Sequence, residues 1–544
     1  MLQRLLLHRG AVRDESRGSV RAGLNQRHTF DSSGPRLFER GISMLKTISR
    51  LTLRVLTFST VILLQSLCSA GEPQMSAVKH TIQLGPLYEV NLEYFPNHSL
   101  KELSEAMPRL EKLGIKTVYL LPIFECDGGA QYEINDYYKI NPRYGNAADL
   151  KEMISVAHRH DISVLLDFVT SVVPETSYIF TKHPEWIVRN AKGEMQRYVP
   201  VPEWGWAPDC TNPLVIDYYI KIAQYYVKEF DTDGWRVDSP ADNYDITKVP
   251  GDHSRIQMLR SLRAAISGVK PSAILIAELT GPSALVRELP IKADPLFDEM
   301  CDAAYNYPIV GFMGGSKPGD YHYLNPGPWG KWTPTIMESV VYNHATSREF
   351  VEAVTQQPIL HHRLRANYTE NHDTARVSAG FPDQHRALFV LIASMPGFPV
   401  VHAGEELGDK THPEASYPVA QVVDWNGGDK ELEAFYTRVL AVRAENPALQ
   451  DGNIDDVWKQ GDNAIVFLRS SGGNHVIVAL NFGGQPAKSV VSIPTEKLNL
   501  GPVSQYQLRD ELSGSITKSK GKDLQNLEVV LKPYGYQLIS IKPI

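Results

Sequence analysis

The segment GWRVDS (residues 234–239) sets a guanidinium, Arg236, and a carboxylate, Asp238, two positions apart in a run that otherwise reads as a buried strand. In a strand, residues i and i+2 point to the same face, so Arg236 and Asp238 share one environment while Trp235 and Val237 take the other. A neighbouring cation favours the ionised form of a carboxyl group, so Arg236 would hold Asp238 ionised and oriented. Three more apolar runs end in groups of this kind: Asp167 in ISVLLDFV (162–169), Glu278 in AILIAEL (273–279), and His372 with Asp373 in RANYTENHD (365–373). Glu278 arrives on the apolar residues ILIA, where desolvation raises the pKa of a carboxyl group. Each group alone has a plainer explanation. Arg236 and Asp238 can be an internal ion pair, an acidic strand end can cap the helix that follows, Glu278 can be a solvated loop residue, and His372 can be a hydrogen-bonded core histidine. Several carboxylates, an arginine and a histidine at one set of strand ends are harder to explain in those ways.

The elements that would carry these groups follow a regular order. Between about residues 84 and 430, eight short apolar runs alternate with stretches such as SLKELSEAMPRLEKLG and NAADLKEMISVAHRHD, whose apolar residues recur at intervals of three and four. Besides the four runs above, they are LYEVNLEYF (87–95), IKTVYLLPIF (115–124), a weak one near FDEMCDAAY (297–305), and FPVVHAGEE (398–406). Eight strands alternating with helices indicate an α/β fold, a (β/α)8 TIM barrel over residues 84–450, whose active groups sit at the C-terminal ends of the strands. A doubly wound open sheet is the alternative, but no glycine-rich phosphate loop opens any of the helices. Residues 170–212, after the third strand, form a long connection rich in Pro, Trp and Tyr, and loops of that length usually have a function. From residue 452 to 544 the pattern changes to strict alternation broken by Gly, Asn and Pro turns, which indicates a C-terminal antiparallel β-sandwich domain.

GWRVDS, ILIAEL and TENHD resemble three signature segments of the α-amylase family of glycoside hydrolases, in the same chain order. YEINDYYKINPRYGNAADLKEMI (132–154) and GFPVVHAGEELG (397–408) resemble two others. The resemblance implies that Asp238 is the nucleophile, Glu278 the general acid/base and Asp373 the carboxylate that stabilises the transition state. It further implies sugar-binding parts for Tyr132, Asp167, Arg236 and His372, with Tyr132 stacking on the sugar before the scissile bond. Retaining cleavage of a glycosidic bond asks for such a set, one carboxylate to attack and one carboxylic acid to donate, about 5–5.5 Å apart. The implied activity is a retaining hydrolase of α-1,4 bonds in starch, glycogen or maltooligosaccharides. The alternatives are a transglycosylase or isomerase acting on α-glucans and, in another class, a catalytically inactive glucan-binding protein.

The chain departs from that family at two places. After Asp167, DFVTSVV puts Ser171 and Val172 where the family has Asn-His, so one sugar contact is lost and the usual calcium site is not supported. Asp209 alone does not make a cage for a hard cation, and no cofactor or metal is expected. After Asp238, Ala241 and Asp242 replace the Lys-His of many endo-acting members. Tyr321, Tyr323, Trp329 and Trp332 in the sixth connection, with Trp204 and Trp206, are either sugar platforms or ordinary packing.

The 544 residues are 43% hydrophobic and 22% charged with a formal net charge of -7, a globular composition without the basic footprint that nucleic acid or an anionic membrane would require. Residues 1–43 are Arg-rich and unpatterned, a disordered extension or a mis-assigned start. Residues 44–70 have the layout of a secretory signal: Lys46, Arg50 and Arg54, then an apolar centre from Val55 to Leu67, then Cys68-Ser69-Ala70. The apolar centre falls short of the roughly 18 residues of a spanning helix. The expectation is a secreted or periplasmic protein with no membrane span once the signal is cleaved. Cys126, Cys210 and Cys301 are left, an odd number without zinc spacing.

Overall fold

The computed structural model describes residues 84–126, 131–198, 202–239, 254–278, 299–306, 336–341, 345–355, 364–374, 376–411, 422–461 and 464–544. The proposed extension, the signal segment, Ala241, Asp242 and the four aromatic residues of the sixth connection lie outside them. No helix among the described residues is long and apolar enough to cross a membrane.

Each of the eight apolar runs contains or overlaps a barrel strand. In chain order they are β1 (Leu87–Val90), β2 (Thr117–Leu120), β5 (Ser163–Val169), β6 (Gly234–Asp238), β7 (Ile274–Ala277), β8 (Ala303–Tyr305), β9 (Leu364–Asn367) and β10 (Phe398–His402). β3 (Phe124–Cys126) and β4 (Ile134–Ile140) make a separate antiparallel hairpin after β2. All eight barrel strands pair in parallel, and the ring closes where Leu87 of β1 meets Val400 of β10. Burial on both faces explains why these strands read as continuous apolar runs and not as alternating ones.

The helices outside the barrel follow from local rules. Helix Leu100–Leu113 begins with a capping box, in which the Ser99 hydroxyl accepts from the Glu102 amide and Glu102 reaches back to Ser99. It ends at Gly114 in the left-handed region. Leu100, Leu103, Met107, Leu110 and Leu113, spaced by three and four, form its buried face, each stabilising the fold by about 1.5–3 kcal/mol over exposure. Asn146 and Asp149 cap Ala147–Arg159 in the same manner.

Gly234 sets the approach of β6 to β7. Its φ is +142°, and a Cβ there would sit 1.8 Å from the carbonyl oxygen of Ile274. Only glycine permits both the conformation and the contact, so the residue that opens GWRVDS also fixes the strand that carries Arg236 and Asp238. We expect Gly234→Ala to lower stability by more than about 3 kcal/mol, read as a large drop in thermal midpoint.

Residues 453–544 form a six-stranded antiparallel sheet packed on a three-stranded one. Val466, Leu468, Ile477 and Ala479 face the smaller sheet, whereas Ile465, Phe467, Val476 and Val478 join the barrel's core. The alternation read from the sequence is thus two apolar faces interleaved, one for each layer.

Candidate active site

β5, β6 and β7 lie side by side, with Asp167 opposite Arg236 and Val237 opposite Ala277. This register gathers three acids round one guanidinium. Arg236 Nη1 donates to Asp167 Oδ1 and Oδ2 at 2.9 and 3.0 Å and to Asp238 Oδ1 at 2.8 Å, while Nη2 lies 2.7 Å from Glu278 Oε2. Glu278 Oε2 also accepts from the amide (2.9 Å) and hydroxyl (3.1 Å) of Ser239. Ser239 does this from a φ of +32°, the kind of local strain that a surrounding network holds in place. The other oxygen of Asp238 accepts from the Ser171 hydroxyl at 2.9 Å. Side-chain exposure rises from 0% at Asp167 through 1% at Arg236 and 3% at Glu278 to 14% at Asp238, so the guanidinium forms a floor with Asp238 above it.

One cation among three carboxyls cannot neutralise them all. Burial raises the Asp238 carboxyl well above its ordinary range; Arg236 opposes this, while Glu278 and Asp167 reinforce it. Crowding of acids round one cation is therefore what sets Asp238 apart from an ordinary surface carboxylate.

A second chain of bonds crosses the mouth from the opposite wall. His372 donates from Nδ1 (2.7 Å) and from its backbone amide (2.9 Å) to Glu89 Oε1 on β1. Its Nε2 is 2.8 Å from Tyr132 Oη, which donates to Asp167 Oδ2 at 2.9 Å. Tyr119 donates to the same Asp167 oxygen (2.6 Å), and Tyr305 donates to Glu89 Oε2 (3.1 Å). Burial alone would push the His372 pKa down, but Asp373 and Glu89 outweigh it and lift the imidazole to about 10. Glu89 is correspondingly lowered to about 2, the bonds and charge of His372 overcoming its desolvation. His372 is therefore an imidazolium that donates from both nitrogens. Asp373, its side chain 39% exposed, stands at the edge with Oδ2 3.6 Å from His372 Nε2. Burial and Glu278 raise its carboxyl against the pull of His372.

Asp238, Glu278, His372 and Tyr132 are thus brought together, with Asp373 beside His372. Two expectations change. Asp167 and Arg236 are not placed to touch a sugar, since both are enclosed; the Asp167 carboxylate and both terminal nitrogens of Arg236 are engaged with the site's own side chains, while Arg236 Nε is buried without a hydrogen-bond partner among the described residues. They position Asp238, Glu278 and Tyr132. His372 and Asp373 are not at a strand end: β9 stops at Asn367 and they follow in a turn where Asn371 Oδ1 accepts from the Asp373 amide. Trp204 is exposed and stacks on Tyr198, while Trp206 lies under the Arg197 guanidinium.

Glu89, Tyr119, Ser239 and Tyr305 escaped the sequence reading. Glu89 carried a usable signal, an acid inside the apolar run LYEV, the same anomaly that Arg236 presents in β6. Ser171 was read only as a missing asparagine, yet its hydroxyl supports Asp238. Asp209 Oδ1 accepts from the amide and hydroxyl of Thr211. Among the described residues no three His, Cys, Asp or Glu side chains gather as a metal site.

The fold and site define a closed (β/α)8 barrel with an acidic cluster, built round one arginine, at the C-terminal mouth. Residues 98–199 match the family model for the alpha-amylase catalytic domain. A cyclomaltodextrinase of Thermoanaerobacter pseudethanolicus is 22% identical over 408 residues, 70% of this chain and 63% of that protein. A maltogenic alpha-amylase of Bacillus acidopullulyticus is 22% identical over 423 residues, 72% of this chain and 64% of that one. Among solved structures, a noncanonic maltogenic alpha-amylase, AmyB, from Thermotoga neapolitana superposes with a TM-score of 0.65 at 20% identity, over 84% of this chain and 98% of the other. The chain spans a little under two thirds of the length of the two sequence relatives. The chain is similar to proteins of the α-amylase family over its barrel and C-terminal sheets.

Proposed function

We propose that the chain is a retaining glycoside hydrolase that cleaves α-1,4 bonds in starch, glycogen and maltooligosaccharides. The observation that carries this reading is the pair Asp238 and Glu278, gripped by adjacent nitrogens of one guanidinium. Shared anchoring by one guanidinium favours the close spacing of a retaining pair over the wider one of an inverting pair. Asp238 attacks the anomeric carbon as Glu278 protonates the departing oxygen, giving a glycosyl ester. Glu278 then takes a proton from water, whose oxygen displaces Asp238. Asp373, at the edge of the mouth, bonds sugar hydroxyls, the enclosed His372 imidazolium holds Tyr132 and sets its charge beside Asp373, and the Asp373 charge offsets the oxocarbenium character of the transition state. The names of the relatives, cyclomaltodextrinase and maltogenic alpha-amylase, support the substrate class.

Proton NMR of maltoheptaose turnover should show the α-anomer first, with the β-anomer appearing only at the rate of mutarotation. First appearance of the β-anomer would overturn the mechanism, and longer chains forming from the start would favour transfer over hydrolysis. Export belongs to the same proposal. It requires a mature chain that begins near residue 71 outside the cytoplasm, and retention of residues 44–70 would refute it.

A further inference from the structure

A cleft of about 750 Å³ opens between the β3–β4 hairpin, the segment after β5 and the helix Pro213–Phe230. It lies on the outer side of β4. Tyr137 turns inward and donates to the Val169 carbonyl, whereas its neighbour Tyr138 points the other way and is 46% exposed. Tyr178 lines the same cleft and is 44% exposed.

Both rings are held from behind. Tyr178 lies parallel to Tyr218, centroids 5.4 Å apart and planes within 12°, and its hydroxyl bonds to His183. Tyr138 meets Tyr225 edge-on at 5.1 Å. Each therefore presents a fixed aromatic face to solvent without losing rotamer freedom on binding, which lowers the cost of association.

The polar lining indicates what would lie on those faces. Lys221 pairs with Asp217 at 2.7 Å, and Lys139 lies 3.0 and 3.3 Å from Glu125 and Asp136. The charges are largely compensated within the cleft, so it attracts neither a polyanion nor a polycation but supplies both donors and acceptors. Flat apolar faces flanked by paired donors and acceptors match a pyranose, which has a C–H face and a rim of hydroxyls.

We propose that this cleft is a second, non-catalytic site for α-glucan, with successive sugar rings resting on Tyr178 and Tyr138. The identity of the glucan rests on the function proposed above. None of the cleft's residues belongs to the acidic cluster, so the site would hold a polymeric or long-chain substrate while the mouth acts on it.

The test separates the two readings. In native gels containing amylopectin, the full chain carrying Glu278→Gln should be retarded, and adding Tyr138→Ala with Tyr178→Ala should weaken apparent binding about tenfold. Tyr138→Phe with Tyr178→Phe should keep most of it, because the ring face and not the hydroxyl is required. In the active parent the alanine pair should raise KM for amylopectin several-fold and leave maltotriose turnover within about twofold. Unchanged retardation in the alanine pair would overturn the proposal even if the parent hydrolyses glucan. So would a parallel loss of maltotriose turnover, which would make the tyrosines part of the catalytic cleft, or conversion of a dimer to a monomer, which would make this face a contact between copies. Tyrosine-dependent retardation in a parent that hydrolyses nothing would sustain the site and refute the enzyme.

Discussion

Asp238→Asn should lower kcat/KM on maltooligosaccharides by roughly 10⁴-fold or more, the scale on which loss of a covalent nucleophile is felt. The amide keeps the shape and can still accept from Arg236, but it does not form the ester. The same substitution should leave the thermal midpoint unchanged or raise it. The native site crowds Asp167, Asp238 and Glu278 round a single guanidinium, and deleting one charge relieves that repulsion, the usual exchange of stability for function at an active site. Glu278→Gln should be comparably slow on maltooligosaccharides but behave differently on α-glucosyl fluoride. Fluoride departs without a proton, so the first step no longer needs the acid, and the glutamine variant should regain most of the rate of that step, read as a fast burst of fluoride release, before the second step, which still lacks its base, limits turnover; the asparagine variant should give no burst. Recovery in both, or in neither, would contradict the assigned division of labour.

The barrel was legible in the sequence because its strands are short, wholly apolar and separated by amphipathic helices, and those features depend on neighbours within about twenty residues. The charges that break the pattern were legible for the same reason: Arg236 and Asp238 are anomalies inside their own strand. What local pattern does not carry is which wall each group faces. Glu89 and His372 are 283 residues apart and meet only because the ring closes between β1 and β10, so no spacing in either segment reports their bond. Asp167 looked like a sugar contact because it shares a strand end with the other acids, but depth is a property of the layer. Its place opposite Arg236, not Asp238, puts it two residues lower in the barrel than Asp238. Ser171 shows the same limit in reverse: a substitution read as a lost ligand becomes a support for Asp238 once the β5–β6 register is fixed.

The bond between Glu89 and His372 gives the other large effect. Glu89→Gln removes the charge that holds the imidazolium while keeping an oxygen within reach of Nδ1. With Asp373 left as the main opposing charge, the His372 pKa should fall from about 10 towards its ordinary value of about 6.5. Above that pH the neutral ring has one proton for two partners, Glu89's replacement and Tyr132, and the chain to Asp167 is broken. A ring displaced by even an ångström costs about 10²-fold, so kcat/KM should fall about that much at pH 8 and much less at pH 5.5, moving the alkaline limb of the activity profile to lower pH. Stability should change with a definite sign. His372, raised in the folded chain, contributes fully below its unfolded pKa of about 6.5 and loses that contribution as pH rises through about 10. Glu89, lowered in the folded chain, contributes fully above its ordinary 4.5 and loses that contribution as pH falls through about 2. The gap in thermal midpoint between the parent and Glu89→Gln should accordingly be widest between these limits, near pH 5–6, and narrow on either side. Glu89→Asp, which retains the charge, should restore the alkaline limb at least in part. A Glu89→Gln enzyme with lowered activity but an unshifted profile and a His372 NMR titration still centred near 10 would mean that Glu89 merely fills space and that Asp373 alone sets the charge on the histidine.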